Sequence, residues 1–336
     1  MNVEWKSYEW KNLYNILTKG LDPKNIQIGQ SCIDYIIILN SQQVLYSEKT
    51  ETLDWNMIWE GQKVSLSDHS PMWSDLKITS DKIVKSSFTS VTIDGFWPRV
   101  YYLGSDNHVY QLWWYGSWHL QDLTKYAKAT DHLAAERSAL TSVKIDSKSP
   151  RVYYLGNDNH IYQLWYNSSD DHWNLEDLTT LAPGATEHLA AAGSALTSVV
   201  IDGIYPRVYY LGSDNHVYQL WFDGSWHLED LTTLAPGATE HLAAAGSALT
   251  SVVIDGKSPR VYYLGSDNHV YQLWYDGSWH LEDLTTLAPG ATDRLAAAGS
   301  ALTSVIIDGK SPRVYYLGSD NYVNQLWYDS SWHHGI

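Results

Sequence analysis

The stretch PRVYYLGSDNHVYQLW occurs three times without change, at residues 98–113, 206–221 and 259–274. Two near copies, PRVYYLGNDNHIYQLW at 150–165 and PRVYYLGSDNYVNQLW at 312–327, bring the number of copies to five. The prolines that open successive copies are 52, 56, 53 and 53 residues apart. A fixed period of this length indicates structural units that stack along a line or are arranged around a ring.

Each repeat contains four short segments rich in Val, Ile, Tyr, Trp and Thr, which is the pattern of antiparallel strands. In the third repeat these segments are ALTSVVID (195–202), RVYYL (207–211), HVYQLWF (216–222) and WHLEDLT (226–232). GSDN and DG between them are typical hairpin connections, and Pro206 is expected just before its strand. The Ala- and Gly-rich residues 234–248 are predicted as a loop to the next repeat.

Four antiparallel strands per repeat, arranged around a ring, form a β-propeller, which leaves only short sheet edges exposed. The sequence therefore predicts an all-β protein whose residues 1–336 form a single β-propeller domain. Residues 86–336 supply five near-identical blades of about 53 residues. Residues 1–85 are predicted to add a latch strand within 8–17 and one degenerate blade, with strands at 25–29, 34–39, 42–48 and 54–60. This gives six blades; the alternative, seven, would need a further blade within 61–85, which is too short.

The composition restricts the partners and the compartment. A net charge of −16 repels phosphate backbones, so nucleic acid is not an expected partner. The start MNVEWKSYEW lacks the apolar region of a signal peptide, and no apolar run approaches the ~20 residues that span a bilayer. We therefore expect a soluble protein without membrane insertion, either cytoplasmic or exported without a leader. The single cysteine, Cys32, cannot form an internal disulfide and leaves the redox compartment open.

The aromatic residues and one polar pair recur with the repeat. The chain has 17 Trp and 25 Tyr against 3 Phe, and Trp and Tyr are favoured where a ring must also meet a polar partner. In every repeat an arginine and a glutamine are twelve residues apart, so we expect them opposite each other on neighbouring strands. The pairs are Arg99 and Gln111, Arg151 and Gln163, Arg207 and Gln219, Arg260 and Gln272, and Arg313 and Gln325. The tryptophans that follow at the start of the fourth segment are Trp118, Trp173, Trp226, Trp279 and Trp332.

A guanidinium, an amide and an indole together suit a pyranose, which has hydroxyl groups at its rim and an apolar patch of C–H groups on one side. A second interpretation is purely structural. In it, the arginine and glutamine bond each other across the strands while the tryptophans fill space between blades. The residues alone leave both interpretations open.

The run RVYYLGSDNHVYQLWYDGSW (260–279) resembles the repeat of the fucose-binding lectins of fungi and bacteria, six-bladed propellers of the fungal fucose-specific lectin family. That repeat has Arg-Val-Tyr, a hairpin, a glutamate eleven or twelve residues after the arginine, and a Trp-Asp-Gly-x-Trp-like stretch. The resemblance covers residues 86–336 clearly and 1–85 only in strand pattern. It implies a sugar between adjacent blades, bound by the five Arg/Gln pairs and stacked on the tryptophans above. More weakly, it implicates the tryptophans two residues after each glutamine, which are Trp113, Trp165, Trp221, Trp274 and Trp327.

The resemblance thus implies a multivalent lectin whose partners are fucosylated or related glycans, with no cofactor and a possible homo-oligomer. This chain departs from the family by having glutamine where the family has glutamate. A carboxylate accepts hydrogen bonds from two hydroxyls with charge assistance, so we expect weaker sites or a different preferred sugar. Residues 1–85 have Tyr35 and Tyr46 at the equivalent positions, so up to five sites are expected.

A β-propeller can also be a glycosidase, a metal-binding protein or a protein-interaction module. A glycosidase needs two carboxyl groups across a cleft, but Glu229 and Asp230 are adjacent in a strand and should point to opposite faces. Gln121 also replaces the glutamate in the first repeat, so no enzymatic activity is expected. The 14 histidines lack the spacing of metal ligands, and the SDN turns are expected to be hairpin turns rather than calcium sites. A protein-interaction propeller that binds no sugar remains the competing function.

Overall fold

The structure, a computed structural model, describes residues 87–335 with their side chains and, from the first 85 residues, the backbone of five strands. The chain divides into two compact units, Met1–Lys85 and Ser86–Ile336. The strands described in the first unit are β1 (Ile26–Ile28), β2 (Leu45–Thr52), β3 (Asn56–Trp59), β4 (Gln62–Ser65) and β5 (Met72–Ile78). Strands β1 and β2 both pair with β5 in a three-stranded sheet, whereas β3 and β4 form a separate hairpin.

Three of the strands predicted for this unit coincide with described ones. The segments 25–29 and 54–60 contain β1 and β3, and β2 begins three residues later than the predicted 42–48 segment. Residues 61–85, left without an assignment in the sequence, contain β4 and β5. The predicted strands at 8–17 and 34–39, with Tyr35, lie outside the described residues. The degenerate blade and the latch strand therefore stay predictions.

The second unit consists of five consecutive antiparallel sheets of four strands each, every sheet ordered as its strands follow in the chain. The first two blades contain β6 (Phe88–Ile93), β7 (Trp97–Leu103), β8 (Val109–Trp114) and β9 (Trp118–Asp122), then β10 (Leu140–Ile145), β11 (Ser149–Leu155), β12 (Ile161–Asn167) and β13 (His172–Asp177). The third and fourth contain β14 (Leu196–Ile201), β15 (Tyr205–Leu211), β16 (Val217–Phe222) and β17 (Trp226–Asp230), then β18 (Leu249–Ile254), β19 (Ser258–Leu264), β20 (Val270–Tyr275) and β21 (Trp279–Asp283). The fifth contains β22 (Leu302–Ile307), β23 (Ser311–Leu317), β24 (Val323–Tyr328) and β25 (Trp332–Gly335). The predicted all-β propeller architecture is confirmed.

Strand alternation gives every blade two different faces. We call the face with the arginine and glutamine the polar face and the opposite one the apolar face. In blade 3 the polar face includes Arg207, Gln219 and Glu229, and the apolar face includes Val208 and Leu220. Near the first strand the polar face also carries apolar side chains, so both faces of the sheet can be buried.

The buried apolar side chains cluster between neighbouring blades. The polar face of blade 3 contributes Tyr209 and Leu211, which cluster with Val261 and Leu273 from the apolar face of blade 4. All four of these side chains are buried. Equivalent clusters join blades 1 and 2, 2 and 3, and 4 and 5. Each interface therefore brings a polar face against the apolar face of the next blade, and the order of the blades fixes which residues meet.

The first strands of neighbouring blades are also linked by hydroxyl pairs. Thr197 Oγ1 in blade 3 is 2.7 Å from Ser251 Oγ in blade 4. The same pair joins the other interfaces, as Thr89 with Ser142, Thr141 with Ser198, and Thr250 with Ser304. These bonds hold the blades side by side at the end of each sheet where the chain enters it.

Two local predictions need correction. Pro206 lies within β15, paired with Val200, rather than before the strand. At this position β15 is not yet paired with β16, whose register begins at Arg207, so the proline is tolerated at the end of that ladder. The predicted WHLEDLT strand (226–232) ends at Asp230, because Leu231 and Thr232 already belong to a short helix. The predicted loop at 234–248 contains a 3-10 turn at Ala238–Glu240 and an isolated bridge at Ala243, and no other helix or strand after Leu234.

The helical turns begin where an aspartate caps them. Asp230 Oδ1 accepts a hydrogen bond from the Thr233 backbone N–H, so the side chain satisfies one of the free amides of the first turn. Residues 87–335 contain four short α-helices, α1 (Leu123–Tyr126), α2 (Leu178–Leu181), α3 (Leu231–Leu234) and α4 (Leu284–Leu287). Three 3-10 turns follow α2, α3 and α4, at Ala185–Glu187, Ala238–Glu240 and Ala291–Asp293. None of the helices in the described part of the chain is long and apolar enough to cross a membrane.

Candidate functional site

The polar face of each blade carries two neighbouring cross-strand rows. In blade 3, Arg207 pairs with Trp221 and Trp221 with His227, while Tyr209 pairs with Gln219 and Gln219 with Glu229. The arginine and glutamine are therefore on one face, as predicted, but diagonal to each other and not directly opposite. The hairpin is centred on Asp214, one residue later than direct pairing would require. A shift of two paired positions keeps both side chains on the same face.

The diagonal arrangement still allows the two side chains to bond. The Arg207 guanidinium donates from Nη1 to Gln219 Oε1 at 3.0 Å. The same bond joins Arg99 to Gln111 at 2.9 Å and Arg151 to Gln163 at 3.0 Å. In blade 4, Gln272 Oε1 has no hydrogen-bond partner among the described residues, so the acceptor beside Arg260 is not used within this part of the protein.

In blades 3 and 4 the tryptophan two residues after the glutamine lies between an arginine and a histidine, whereas Trp165 of blade 2 pairs with Asn174. The Arg207 guanidinium carbon is 5.5 Å from the centre of the Trp221 ring, within the range of a cation–π contact. The His227 ring stacks on the same indole with a 4.4 Å separation of the ring centres. Blade 4 repeats both contacts around Trp274, with distances of 5.3 and 4.3 Å. Trp221 and Trp274 are thus partly exposed, with a guanidinium and a histidine ring against the indole.

A glutamate on the fourth strand completes the second row. Gln219 Nε2 donates to Glu229 Oε2 at 2.8 Å, and the bonds from Gln163 to Glu176 and from Gln272 to Glu282 are both 2.7 Å. In blade 1 the partner is Gln121, and the bond from Gln111 Nε2 lengthens to 3.3 Å. In blade 5, Gly335 occupies the position opposite Gln325.

The next blade supplies the predicted second tryptophan. Trp279 of blade 4 reaches back to blade 3, where its Nε1 is 3.4 Å from Glu229 Oε2, and Trp332 makes the same contact with Glu282. Trp173, Trp226, Trp279 and Trp332 are only 2–5% exposed because they are packed in the interfaces. Their indole faces therefore support the site from behind. Trp118 of blade 1 is 53% exposed.

The described residues contain four complete interfaces of this kind. Each combines an arginine, a glutamine and a tryptophan from one blade with a tryptophan from the following blade, beginning with Arg99, Arg151, Arg207 and Arg260. The fifth set, with Arg313, Gln325 and Trp327, lies on the face of blade 5 that is turned away from blade 4. In blade 2 the insertion before Trp173 lengthens the hairpin but keeps this residue paired with Tyr166, so it remains equivalent to Trp226.

The interfaces hold several donors that are shielded from solvent and lack a partner. These include Nε of Arg207 and Nε1 of Trp221, neither of which has a hydrogen-bond partner among the described residues. Tyr209 behaves similarly: burial raises the pKa of its hydroxyl, only partly offset by the charge of Arg207. A buried donor without a partner costs about 1–3 kcal/mol, so a ligand oxygen that reached these donors would gain from them.

The structure separates the two carboxylates that a glycosidase would need. Glu229 lies on the polar face beside Gln219, whereas Asp230 pairs with Tyr218 on the apolar face and bonds His216 and Thr233. The SDN turns are hairpin turns: Asn215 has a φ of +64°, and Asp214 accepts bonds from the His216 amide and the Tyr218 hydroxyl. No group of three or more His, Cys, Asp or Glu side chains among the described residues could hold a metal ion.

Two kinds of residue in this site were not recognised in the sequence. The histidines that stack on the tryptophans are His119, His227, His280 and His333, and the glutamates are Glu176, Glu229 and Glu282. Their signal was present in HLED, because the histidine and glutamate are two residues apart on a strand and so share a face. In the sequence the glutamate of HLED suggested only a catalytic acid, and its position beside the glutamine was missed.

Comparisons with known proteins agree with the fold described above. The family model for the fungal fucose-specific lectins matches residues 127–336. A fucose-specific lectin of Aspergillus oryzae is 26% identical over 244 residues, which are 69% of this chain and 71% of the relative. The lectin of Aleuria aurantia, solved as a six-bladed β-propeller, has a TM-score of 0.53 at 18% identity, covering 78% of this chain and 83% of that one. A lectin from Burkholderia pseudomallei has a TM-score of 0.55 at 15% identity, covering 73% and 68%.

Proposed function

The chain belongs to the fungal fucose-specific lectin family, and from this premise we propose that it is a multivalent lectin that binds fucose or a related monosaccharide between adjacent blades. The Aspergillus oryzae relative is named for fucose specificity, and the Aleuria aurantia lectin has been solved with α-methyl-L-fucoside. The partners that we propose are fucosylated or related glycans on surfaces or glycoproteins.

The observation that carries this proposal is the repetition of one polar and aromatic arrangement at four interfaces. At each, an arginine and a buried glutamine lie beside an aromatic row on the polar face, under a tryptophan from the next blade. Packing alone does not require a cation, an amide and an indole in the same cleft at every interface. A pyranose uses all three, since its hydroxyls meet the polar groups and its C–H face meets the indole.

The binding residues that we propose are the arginine and glutamine of one blade and the partly exposed tryptophan of the same row, as in Arg207, Gln219 and Trp221. The buried tryptophan of the next blade, such as Trp279, shapes the wall of the cleft. In this proposal the tryptophan two residues after the glutamine, such as Trp221, stacks on the sugar. The tryptophan at the start of the fourth strand, such as Trp279, has a supporting role, although the resemblance to the family implicates it more strongly.

Titration calorimetry with L-fucose and methyl-α-L-fucoside tests the proposal, with galactose and mannose as controls. We expect at least four bound sugars per chain, and Arg207→Ala should remove one of them by deleting the cation beside Trp221. Arg137→Ala is the matched control, since Arg137 is exposed and its nearest carboxylate is the adjacent Glu136. If no sugar gives heat and a glycan array also shows no binding, the ring is instead a protein scaffold.

We further propose that the protein has no catalytic activity. The separation of Glu229 from Asp230 on opposite faces supports this, because hydrolysis needs two carboxyl groups facing one glycosidic bond. Incubation with p-nitrophenyl-α-L-fucoside should release no p-nitrophenol. Release that Glu229→Gln abolishes would contradict the proposal.

A further inference from the structure

The glutamates on the fourth strand bring a charge into a site that otherwise contains only a cation and an amide. Glu176, Glu229 and Glu282 are each only partly buried, so they border the cleft rather than the core. Every hydrogen bond that the described residues make to these three carboxylates goes to Oε2. The other oxygen, Oε1, remains an anionic acceptor at the edge of the interface.

The carboxylate also determines which way the glutamine amide points. A carboxylate can only accept, so the side of Gln219 that faces Glu229 must be the NH₂ group. The amide oxygen then faces Arg207, which donates to it. With Gln121 in blade 1, the neighbouring group can accept or donate, and the bond to Gln111 is longer, at 3.3 Å.

We propose that Glu176, Glu229 and Glu282 are specificity-determining residues that divide the binding sites into two classes. Three interfaces, after blades 2, 3 and 4, offer a carboxylate oxygen, beside a buried glutamine whose amide orientation is fixed, to a hydroxyl of an uncharged sugar. The interface after blade 1 offers amides only. This inference rests on the proposed lectin function and adds to it the substrate class of the three carboxylate sites.

The two classes should differ in affinity. A hydrogen bond to a charged acceptor is roughly twice as strong as a neutral one, so we expect about tenfold tighter binding at the three carboxylate sites. A second carboxylate, on the sugar, would be repelled there, and uronic acids should be excluded from these sites.

The test is calorimetry of methyl-α-L-fucoside on the full chain and on the triple variant Glu176→Gln, Glu229→Gln, Glu282→Gln. Each substitution copies the arrangement of Gln111 and Gln121, which already fits in blade 1. The wild-type isotherm should show two phases, with three tight sites. The variant should show one weak phase, with about tenfold lower affinity at those three sites. Glu187→Gln with Glu240→Gln is the control, since both glutamates are exposed in the connecting turns.

A charge-exchanged variant separates binding from structural support. Gln219→Glu alone places two carboxylates in contact and should lower thermal stability and binding at that interface, whereas Gln219→Glu with Glu229→Gln should restore both. Two results would overturn the glutamate assignment and leave the lectin function intact. One is a triple variant that binds the sugar with the same phases and affinities as the wild type, and the other is tight binding of D-glucuronate at three sites. No binding of any sugar by the wild-type protein would instead refute the lectin function on which the assignment depends.

Discussion

Gly212 shows how closely one residue can determine a blade. Its φ is not in the left-handed region, so its conformation does not require glycine. Its surroundings do: a Cβ there would lie 2.5 Å from both Asp214 Oδ1 and Tyr218 Cε2. The glycine of YLGSDN is therefore needed for space, because the Tyr218 ring crosses it on the way to its hydrogen bond with Asp214.

Gly212→Ala should destabilise the protein by about 1–3 kcal/mol, the usual range for overpacking a filled site. Gly318→Ala is the matched control, because blade 5 has Asn324 in place of the tyrosine and its Nδ2 is the end of a flexible side chain. We expect the control to lose clearly less stability in urea unfolding. Equal losses for the two variants would show that the tyrosine ring is not the obstacle.

The repeat made Arg207, Gln219 and Trp226 conspicuous in the sequence as candidate binding residues, and their role in binding stays a prediction. The sequence could not predict that Trp226 would be buried, since indoles at the same spacing serve equally for packing or for stacking. The role of Glu229 was also hidden, because it depends on which side chain lies opposite in the register. That register is fixed by the turn around Asp214, where one residue more or less changes every pair.

At the scale of the element, the fourth strand and the helix after it depend on one aspartate. Asp230 bonds the Thr233 amide, the Thr233 hydroxyl and His216, so it joins the helix cap to the neighbouring hairpin. The segment 226–232 has strong strand signals and no residue that breaks a strand after Asp230. Capping explains the end, because an aspartate with free oxygens favours the start of a helical turn over further strand.

Asp230→Ala should cost about 1–2 kcal/mol, since it removes a helix cap together with the bond to His216. The control is Asp223→Ala, which removes an exposed aspartate that bonds His227 at the surface. We expect the control to leave the thermal midpoint unchanged. A midpoint that falls equally in both variants would argue against the cap.

The hairpin aspartates should make stability depend on acidity. Burial raises the pKa of Asp214, but the hydrogen bonds from the Tyr218 hydroxyl and the His216 amide outweigh it, so the pKa lies below its ordinary value of 3.8. Asp158 and Asp267 have the same environment and the same direction of shift. A lowered folded-state pKa stabilises the protein above the unfolded-state value and loses this contribution as the pH falls through the folded-state value.

Thermal unfolding between pH 7 and pH 3 should therefore show a constant contribution from these groups down to about pH 4 and a decline below it. The variant Asp158→Asn, Asp214→Asn, Asp267→Asn should be less stable than the wild type at pH 7, and the difference should shrink toward pH 3. A difference that is the same at both pH values would mean that the carboxylate charge does not contribute.

At the scale of the whole molecule, the repeat made the fold of residues 86–336 predictable, whereas the fold of residues 1–85, where the repeat is absent, was difficult to predict. Five copies with turns at regular intervals specify blades, because a radial arrangement buries both faces of each sheet and leaves only short edges exposed. The 1–85 region lacks this redundancy, and its described strands pair as β1 with β5 and β5 with β2 rather than in chain order. When a segment is repeated, a strand signal that is ambiguous in one copy can be assigned from the other copies. A single divergent segment cannot be assigned in this way.

The hydroxyl pairs between blades should contribute to the cohesion of the assembly. Thr197→Val leaves the hydroxyl of Ser251 without its partner and should destabilise the protein by about 1 kcal/mol. Adding Ser251→Ala should recover part of the loss, since neither side then has an unpaired polar group. Urea unfolding of the two variants measures the difference, and a double variant weaker than the single one would contradict this interpretation.

The interfaces described above have a consequence for how the chain finds its fold. The stretches that build blades 3 and 4 are identical over 206–221 and 259–274, so the two blades present the same surfaces to their neighbours. Contact energy cannot then distinguish a blade from its copy, and only the shorter loop to be closed favours the correct neighbour. Out-of-order stacking within a chain and exchange of blades between chains are the kinetic traps that this equality creates, and the exchange between chains becomes more frequent as concentration rises. The substituted end of blade 5, with Arg294 and Asn324, marks one end of an otherwise interchangeable series.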